Sequence, residues 1–307
     1  MHVLESAQAG KLRENYCNND KSSAVKLARC YLTGRAKKVW QPDEQTQVRR
    51  ELYFAYERAE KNSTRCRNQI KGFLNQHCIR CPKRLSLTKP AGFHFALQAK
   101  QWSPLQRIVL ASLFDSLIHA ETQRKTLSRQ MCIEIYNDKQ LKQLMRLMGV
   151  AHIIAVAIGA FVADIERFAT AKKLVGYFGL APRKTQSGNN IEGRKGGIGN
   201  GGRKQIRTLL IQSAQNAMQH NSNPLHKWGW KLIIKKNRNL ALAAVARKIA
   251  TAIWHLLKRH YTPLKKASDS IMNKIRKISV EIGPEFRQEL GFSKLNVFCE
   301  HFFKQLK

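Results

Sequence analysis

Two stretches of helical periodicity, 43–73 and 103–148, constrain this chain more than any other feature. Each is long enough for about eight helical turns or more. In the first, Val48, Leu52, Ala55, Ala59, Cys66 and Phe73 approximate a heptad seam, with Asn62 as a polar break and acidic residues at its start. The second is wetter at its centre. A Pro- and basic-rich break over 76–92 separates them. Two long helices joined by a loop predict a helical hairpin or coiled-coil arm, a spacer or dimerisation element more often than a catalytic one. The fold class is mainly α.

Shorter helices flank the arm. Ala24, Leu27, Ala28 and Tyr31 share one face of a helix over 22–31, with Asn19 or Asp20 placed to cap it. Residues 141–176 read helix, turn, helix, short helix, with Gly149-Val150 at the turn and Ile153 to Phe161 as the second helix. This shape is either a helix-hairpin-helix, whose turn offers N–H groups to a phosphate, or a plain helical corner. Ile206, Leu209, Leu210, Ser213, Ala217 and Met218 follow helical spacing. Leu240 to Lys258 is an Ala-rich core helix that packs through Leu242, Val245, Ala246, Ile249, Ile253, Trp254 and Leu257. Residues 264–307 form a basic, helix-capable tail.

Charge narrows the function. The formal net charge is +35 over 307 residues, and the isoelectric point is near 10.4. Between Arg167 and Ser268 there are 21 Lys and Arg against one acid, Glu192, so +20 lies in about a third of the chain. Such a surplus points to a polyanion partner. No apolar run approaches the ~20 residues of a membrane span; 150–162 is too short and carries His152, so no membrane partner is expected. Seven Cys at irregular spacing suit reduced thiols in a cytosol. The lone CxxC of Cys78 and Cys81, even with Cys66 and His94 nearby, fits no standard zinc spacing.

The surplus surrounds a Gly-rich loop that runs into a helix. Gly193, Gly196, Gly197, Gly201 and Gly202 allow close backbone approach to phosphate, though no Walker sequence is present. Ser187, in Arg183-Lys184-Thr185-Gln186-Ser187-Gly188, is a hydroxyl among cations that could attack a phosphodiester. No general base is visible beside it, and a loop Ser is more often a turn residue.

The string from Gly179 to Gly188, with Gly193-Arg194 and then Gly199-Asn200 through Arg207-Thr208-Leu209-Leu210, resembles the C-terminal domain of bacterial insertion-sequence transposases of the DEDD type. Some of these are known as bridge-RNA-guided recombinases. The likeness runs in order through most of 12–260. It implies a remnant of a RuvC-like nuclease domain over 1–35, a linker and coiled-coil arm over 36–140, a serine transposase domain over 141–263 and the tail over 264–307. Ser187 falls at the family's nucleophile. Arg183, Lys184, Arg194, Lys195, Arg203, Lys204 and Arg207 would line DNA, with Gly179, Gly188 and Gly193 shaping the loop.

The resemblance also implies Mg²⁺ held by four acids of the RuvC-like domain. Asp20 stands at the third position and Ser23 at the fourth, while the other two belong to strands upstream of anything in this sequence. One carboxylate does not hold a hard divalent ion. The expectation is therefore a truncated transposase, inactive alone. Its partners would be insertion-sequence DNA, a guide RNA and copies of itself, in the cytoplasm at the nucleoid. The alternatives are a non-catalytic DNA- or RNA-binding remnant and a basic structural RNA-binding protein of ribosomal type.

Overall fold

A computed structural model describes residues 3, 20–35, 39–185, 194–199, 201–219, 225–258 and 268–306. They fall into two compact units, Met1–Gln47 and Val48–Lys307. In the first, α1 (Asp20–Leu32) carries Asp20 inside its first turn, so this acid faces the positive helix end and is not the cap. Asn19, the other expected cap, lies outside the described residues. Cys30 is buried on α1, and the Val39 N–H donates to the Val3 carbonyl at 2.8 Å.

The arm is an antiparallel helical hairpin. α2 (Glu44–Gln76) opens with Asp43 accepting from the Thr46 N–H at 2.9 Å. After a turn region and α3 (Pro90–Gln98), α4 (Pro104–Asn137) returns alongside it. Cross-links mark the antiparallel order. Arg49 meets Glu134 at 3.1 Å and Asp138 at 2.5 Å, Arg124 reaches Glu60 at 3.5 Å, and the Ser63 hydroxyl bonds Glu121. Ser103 starts α4 through a capping box with Gln106. At the far end, the buried Trp102 ring stacks on Phe73 at 5.4 Å and donates its indole N–H to the Ala96 carbonyl at 2.9 Å.

Much of the seam of α2 lies one residue on from the heptad expected, with Ala59 common to both. Tyr53, Tyr56, Ala59, Ile70 and Leu74 are buried, while Val48 is 57% exposed. Hydrophobicity alone favoured Val48 and Leu52, but Tyr53 reaches further and meets the Phe161 ring edge-on at 5.4 Å. Polar residues buried on this helix have partners: Arg49 with its two acids and Ser63 with Glu121. Ser63 is thus the polar break, and Asn62 is exposed.

Arg49 therefore has a measurable role. Arg49→Met strands Asp138 and Glu134 without their cation. Breaking a buried pair costs about 3–5 kcal/mol, and the partial exposure of Glu134, 36%, reduces this to roughly 2 kcal/mol. Urea unfolding reads it directly; a loss below about 0.5 kcal/mol would mean that water already screens the pair.

α4 stops at Asp138, whose carboxylate accepts from the Leu141 N–H at 2.9 Å and begins α5 (Lys139–Met145). The single helix expected to Met148 is therefore two. α6 (His152–Val162) follows the Gly149 turn and is buried from Ile154 onward. The Ser213 hydroxyl donates to the Gly149 carbonyl at 2.7 Å, which ties this turn into the protein interior. A 3₁₀ turn (Ile165–Arg167) and α7 (Ala171–Tyr177) come next.

Beside α6 lies α8 (Lys204–Gln219), which α9 (Leu225–Lys235) and α10 (Arg238–Leu257) follow. α10 packs on α7, α8 and α9. Its length and composition would suffice to cross a membrane, contrary to the expectation that no run approaches a span. Here Ala241, Val245, Ala246, Ile249, Ala250 and Ile253 are buried in the protein core.

The last segment is not a loose tail. α11 (Ser268–Ile282), α12 (Pro284–Glu289) and α13 (Leu295–Leu306) form a further layer. Ile271, Ile275, Ile278 and Ile282 are buried at helical spacing, and Tyr136 of α4 stacks on Phe298 at 5.2 Å. Abundant Lys and Arg on the outer faces of these helices masked the apolar stripe in composition.

Candidate nucleic-acid interface

The Gly-rich loop is a β-hairpin in its described parts. β1 (Pro182–Thr185) pairs antiparallel with β2 (Arg194–Ile198), with Pro182 opposite Ile198, Lys184 opposite Lys195 and Thr185 opposite Arg194. An irregularity between Pro182 and Lys184 shifts the register. Residues 186–193 between the two strands, with Ser187, Gly188 and Gly193 among them, lie outside the described residues.

The root of this hairpin is built from touching backbones. Gly179 and Gly202 hold φ values of +70° and +84°, a region that L side chains rarely adopt. A Cβ on Gly202 would sit 2.4 Å from the Gly179 nitrogen, and one on Gly179 would sit 2.4 Å from the Gly201 carbonyl oxygen. The Arg203 N–H then donates to the Tyr177 carbonyl at 2.9 Å. Below the root, Phe178 and Leu180 are fully buried and fix β1 to the core.

Arg207 of α8 clamps the two strands together. Its Nη1 donates to the carbonyls of Gly199 at 2.7 Å, Gly179 at 3.3 Å and Gly201 at 3.4 Å. The resemblance placed Arg207 among residues lining DNA; the structure gives it an internal task at the hairpin root. Arg203 and Lys204 are exposed at the start of α8. Arg183, Lys184, Arg194 and Lys195 lie on the two strands themselves. Asp20 is exposed in the other compact unit, with Ser23 half-buried on the same helix.

The strand register makes Lys184 the backbone partner of Lys195 and Thr185 that of Arg194, so four cations, Arg183, Lys184, Arg194 and Lys195, fall within two short paired strands.

Beside the root, at the C-terminal end of α6, lies a group of which sequence reasoning named only Arg203. Arg50 of α2 donates to the Ala160 carbonyl at 2.8 Å. Arg167 donates to the Val162 carbonyl at 2.9 Å, and the Tyr177 hydroxyl to that of Phe161 at 3.0 Å. Arg203 Nε in turn donates to the Tyr177 hydroxyl at 3.2 Å. The guanidinium and aromatic groups alternate: Arg50 over Phe161, Arg203 over Phe161 and Tyr177, Arg167 over Tyr177 and Phe168, all 5.2–5.8 Å from the ring centroids. Burial lowers the Arg50 and Arg167 pKa values, and Arg203 lowers both further. Arg50 stands 110 positions before Ala160, so no local pattern joins them.

No three His, Cys, Asp or Glu side chains come together among the described residues, so the donor set present does not suit a carboxylate-held metal. The CxxC is no exception, with Cys78 exposed and Cys81 half-buried.

Residues 141–228 match the model of the Transposase IS116/IS110/IS902 family. The chain is 27% identical over 267 residues to the transposase for insertion sequence element IS1111A of Coxiella burnetii, covering 85% of this chain and 70% of that protein. It is 26% identical over 198 residues to a probable family 20 transposase of Pseudomonas aeruginosa, covering 62% of this chain and 58% of the relative. A putative transposase, y4qE, of Sinorhizobium fredii is 24% identical over 265 residues, covering 78% of this chain and 64% of the relative. The chain thus spans less than two thirds of the length of two of these three relatives. It is similar to insertion-sequence transposases of the IS110/IS116 family, and the matched region contains the whole hairpin and its root.

Proposed function

We propose that this chain binds the DNA of an insertion sequence along its basic β-hairpin and presents Ser187, which lies between the two strands in the sequence, to a phosphodiester. The observation that carries this reading is the strand register, which sets Lys184 against Lys195 over a root braced by Arg207, Gly179 and Gly202. A protein without a polyanion ligand gains nothing from that placement. In the reaction, the Ser187 oxygen loses its proton and bonds to phosphorus while the bond to one sugar oxygen breaks. The strand is then held as a serine phosphodiester until a free sugar hydroxyl displaces it. Cations on both strands offset the charge that accumulates on phosphorus.

No metal-dependent step is assigned to these residues, because the described acids do not converge. In this reading the carboxylates that transposition needs come from outside the described residues, and a guide RNA and self-association remain part of the proposal. A second reading, a DNA or RNA binder without turnover, is favoured by the same lack of convergent acids.

One assay separates the two readings. Duplexes carrying the element's ends are incubated with the chain, with and without an intact homologue, and SDS-stable protein–DNA adducts are scored. The adduct is expected only in the mixture, on this chain's serine, and Ser187→Ala abolishes it while DNA affinity stays within about twofold, since Ser187 adds no charge to the contact. Adduct from Ser187→Ala would place the nucleophile elsewhere, and none in any mixture would leave the binder.

A further inference from the structure

Trp230 of α9 is the exposed one of the chain's five tryptophans; Trp102 is buried, and Trp40, Trp228 and Trp254 are half-buried. The exposure does not come from a loosely placed helix. α9 packs on α8 and α10, and a Cβ added to the buried Gly229 would lie 2.8 Å from Cγ of Met218. The Trp230 indole N–H donates to the Met218 carbonyl at 3.1 Å, and His226 Nδ1 donates to the same oxygen at 2.6 Å. Met218 lies in the last turn of α8, so these bonds satisfy a carbonyl that has no partner within its own helix. They hold one edge of the indole and leave 49% of the residue in solvent.

Helical spacing gathers cations around this ring. Lys227, Trp230, Lys231, Ile234 and Lys235 stand three and four positions apart on one face, and all five are exposed, Ile234 at 82%. No acid occurs between Gly193 and Ser268, and none of the three lysines forms an ion pair with a described residue. Scattered apolar side chains at a surface are ordinary, but a fixed aromatic ring between cations is the combination that takes up bases and backbone together. An amphipathic basic helix also suits a membrane surface; here Trp228, Leu232 and Ile233 of α9 are packed against the protein core instead.

We infer that Trp230, with Ile234 beside it, is a stacking platform for the bases of an unpaired DNA strand whose phosphates meet Lys227, Lys231 and Lys235. In a duplex the base faces are covered by one another and closed to such a ring, so the platform favours single strands. The choice of DNA rests on the reading of the hairpin as a DNA-binding ribbon, since attack by Ser187 frees a strand end there. From Lys204 at the root to Met218, α8 rises roughly 20 Å, a span of about six nucleotides at about 3.4 Å each.

The test uses the full chain, titrated by fluorescence anisotropy with an oligothymidine strand of about 12 nucleotides and separately with a generic duplex. Trp230→Ala should weaken single-strand binding about five- to a hundredfold while duplex affinity stays within about twofold, and Trp230→Phe should recover most of the loss. Lys231→Gln should lower the single-strand salt slope by about 0.7. Unchanged single-strand affinity in folded Trp230→Ala reduces the ring to a cap on Met218 and overturns the inference. An equal loss on strand and duplex overturns it too, because stacking needs an unpaired base. Oligouridine bound more tightly than oligothymidine, with the same dependence on Trp230, overturns the assignment to DNA. Should Trp230→Ala not fold, acrylamide quenching of wild-type tryptophan fluorescence decides the matter: the strand is expected to shield the exposed ring, and equal quenching with and without strand overturns the platform. A ribbon variant carrying Lys184→Gln and Lys195→Gln is run on the duplex in parallel. If that variant keeps its salt slope, the hairpin reading fails; if its slope drops while Trp230→Ala keeps its strand affinity, only the platform fails.

Discussion

Replacing Arg183, Lys184, Arg194 and Lys195 together by Gln lowers the salt slope of DNA binding by about 3–4 and the affinity near 0.1 M salt by about a thousandfold or more. Each cation on a backbone phosphate releases counterions worth about 0.9 in that slope, so four contacts account for the figure. The direction of the stability change distinguishes this prediction from a trivial loss of structure. Lys184 and Lys195 are register partners, and like charges at paired positions do not stabilise a ribbon, so the melting temperature is expected to stay level or rise. Weaker binding with equal or greater stability is the signature of a surface whose charge serves a ligand. A slope unchanged in the quadruple variant would move the binding surface off the hairpin. The effect should also be nearly independent of DNA sequence, because the cations meet phosphates and not base edges.

Helices were largely legible in the sequence because their apolar spacing is local. α6, α8 and α10 lie close to where periodicity placed them, and the arm forms the hairpin that two long helices imply. The seam of α2 was off by one because the buried set includes Arg49 and Ser63, whose partners Glu134 and Glu121 are 85 and 58 positions away. Burial of a polar residue depends on such partners, and a hydrophobic pattern does not contain them. The hairpin was hidden for a related reason. β1 and β2 are four and five residues long, rich in Gly and cations, with no alternation of apolar and polar residues. What makes them strands is their root: two left-handed glycines and an arginine that unites three carbonyls. The motif of glycines and cations was visible, and its use in a clamp was not. Arg50 was the least legible residue beside the root, since it reaches the Ala160 carbonyl across 110 positions.

The root also sets the sharpest stability prediction. Gly202→Ala should detach the hairpin from its base while leaving the helical core standing. The φ of +84° costs an L residue about 1–3 kcal/mol. The added carbon would lie 2.4 Å from the Gly179 nitrogen, 2.5 Å from its Cα and 2.9 Å from the Tyr177 carbonyl oxygen. All three are backbone atoms, so no side chain can swing aside. The chain must separate, which breaks the bond from the Arg203 N–H to Tyr177 and unseats Arg207 from Gly179 and Gly201, each bond worth about 1 kcal/mol. The sum is roughly 4–6 kcal/mol against the closed root. Because 1.4 kcal/mol is a factor of ten, amide exchange across 177–182 and 198–203 should accelerate about a thousandfold to ten-thousandfold, while α6 and α10 keep their protection. DNA affinity falls with the root, because the ribbon cations lose their common orientation. Gly201→Ala is the matched control: nothing lies within 4 Å of its added carbon, so exchange and binding should change by less than about threefold. Equal exchange in Gly202→Ala and Gly201→Ala would show that the close approach of 179 and 202 does not hold the hairpin. The contrast between neighbouring glycines tests the geometry itself, since both substitutions add the same methyl group to the same loop.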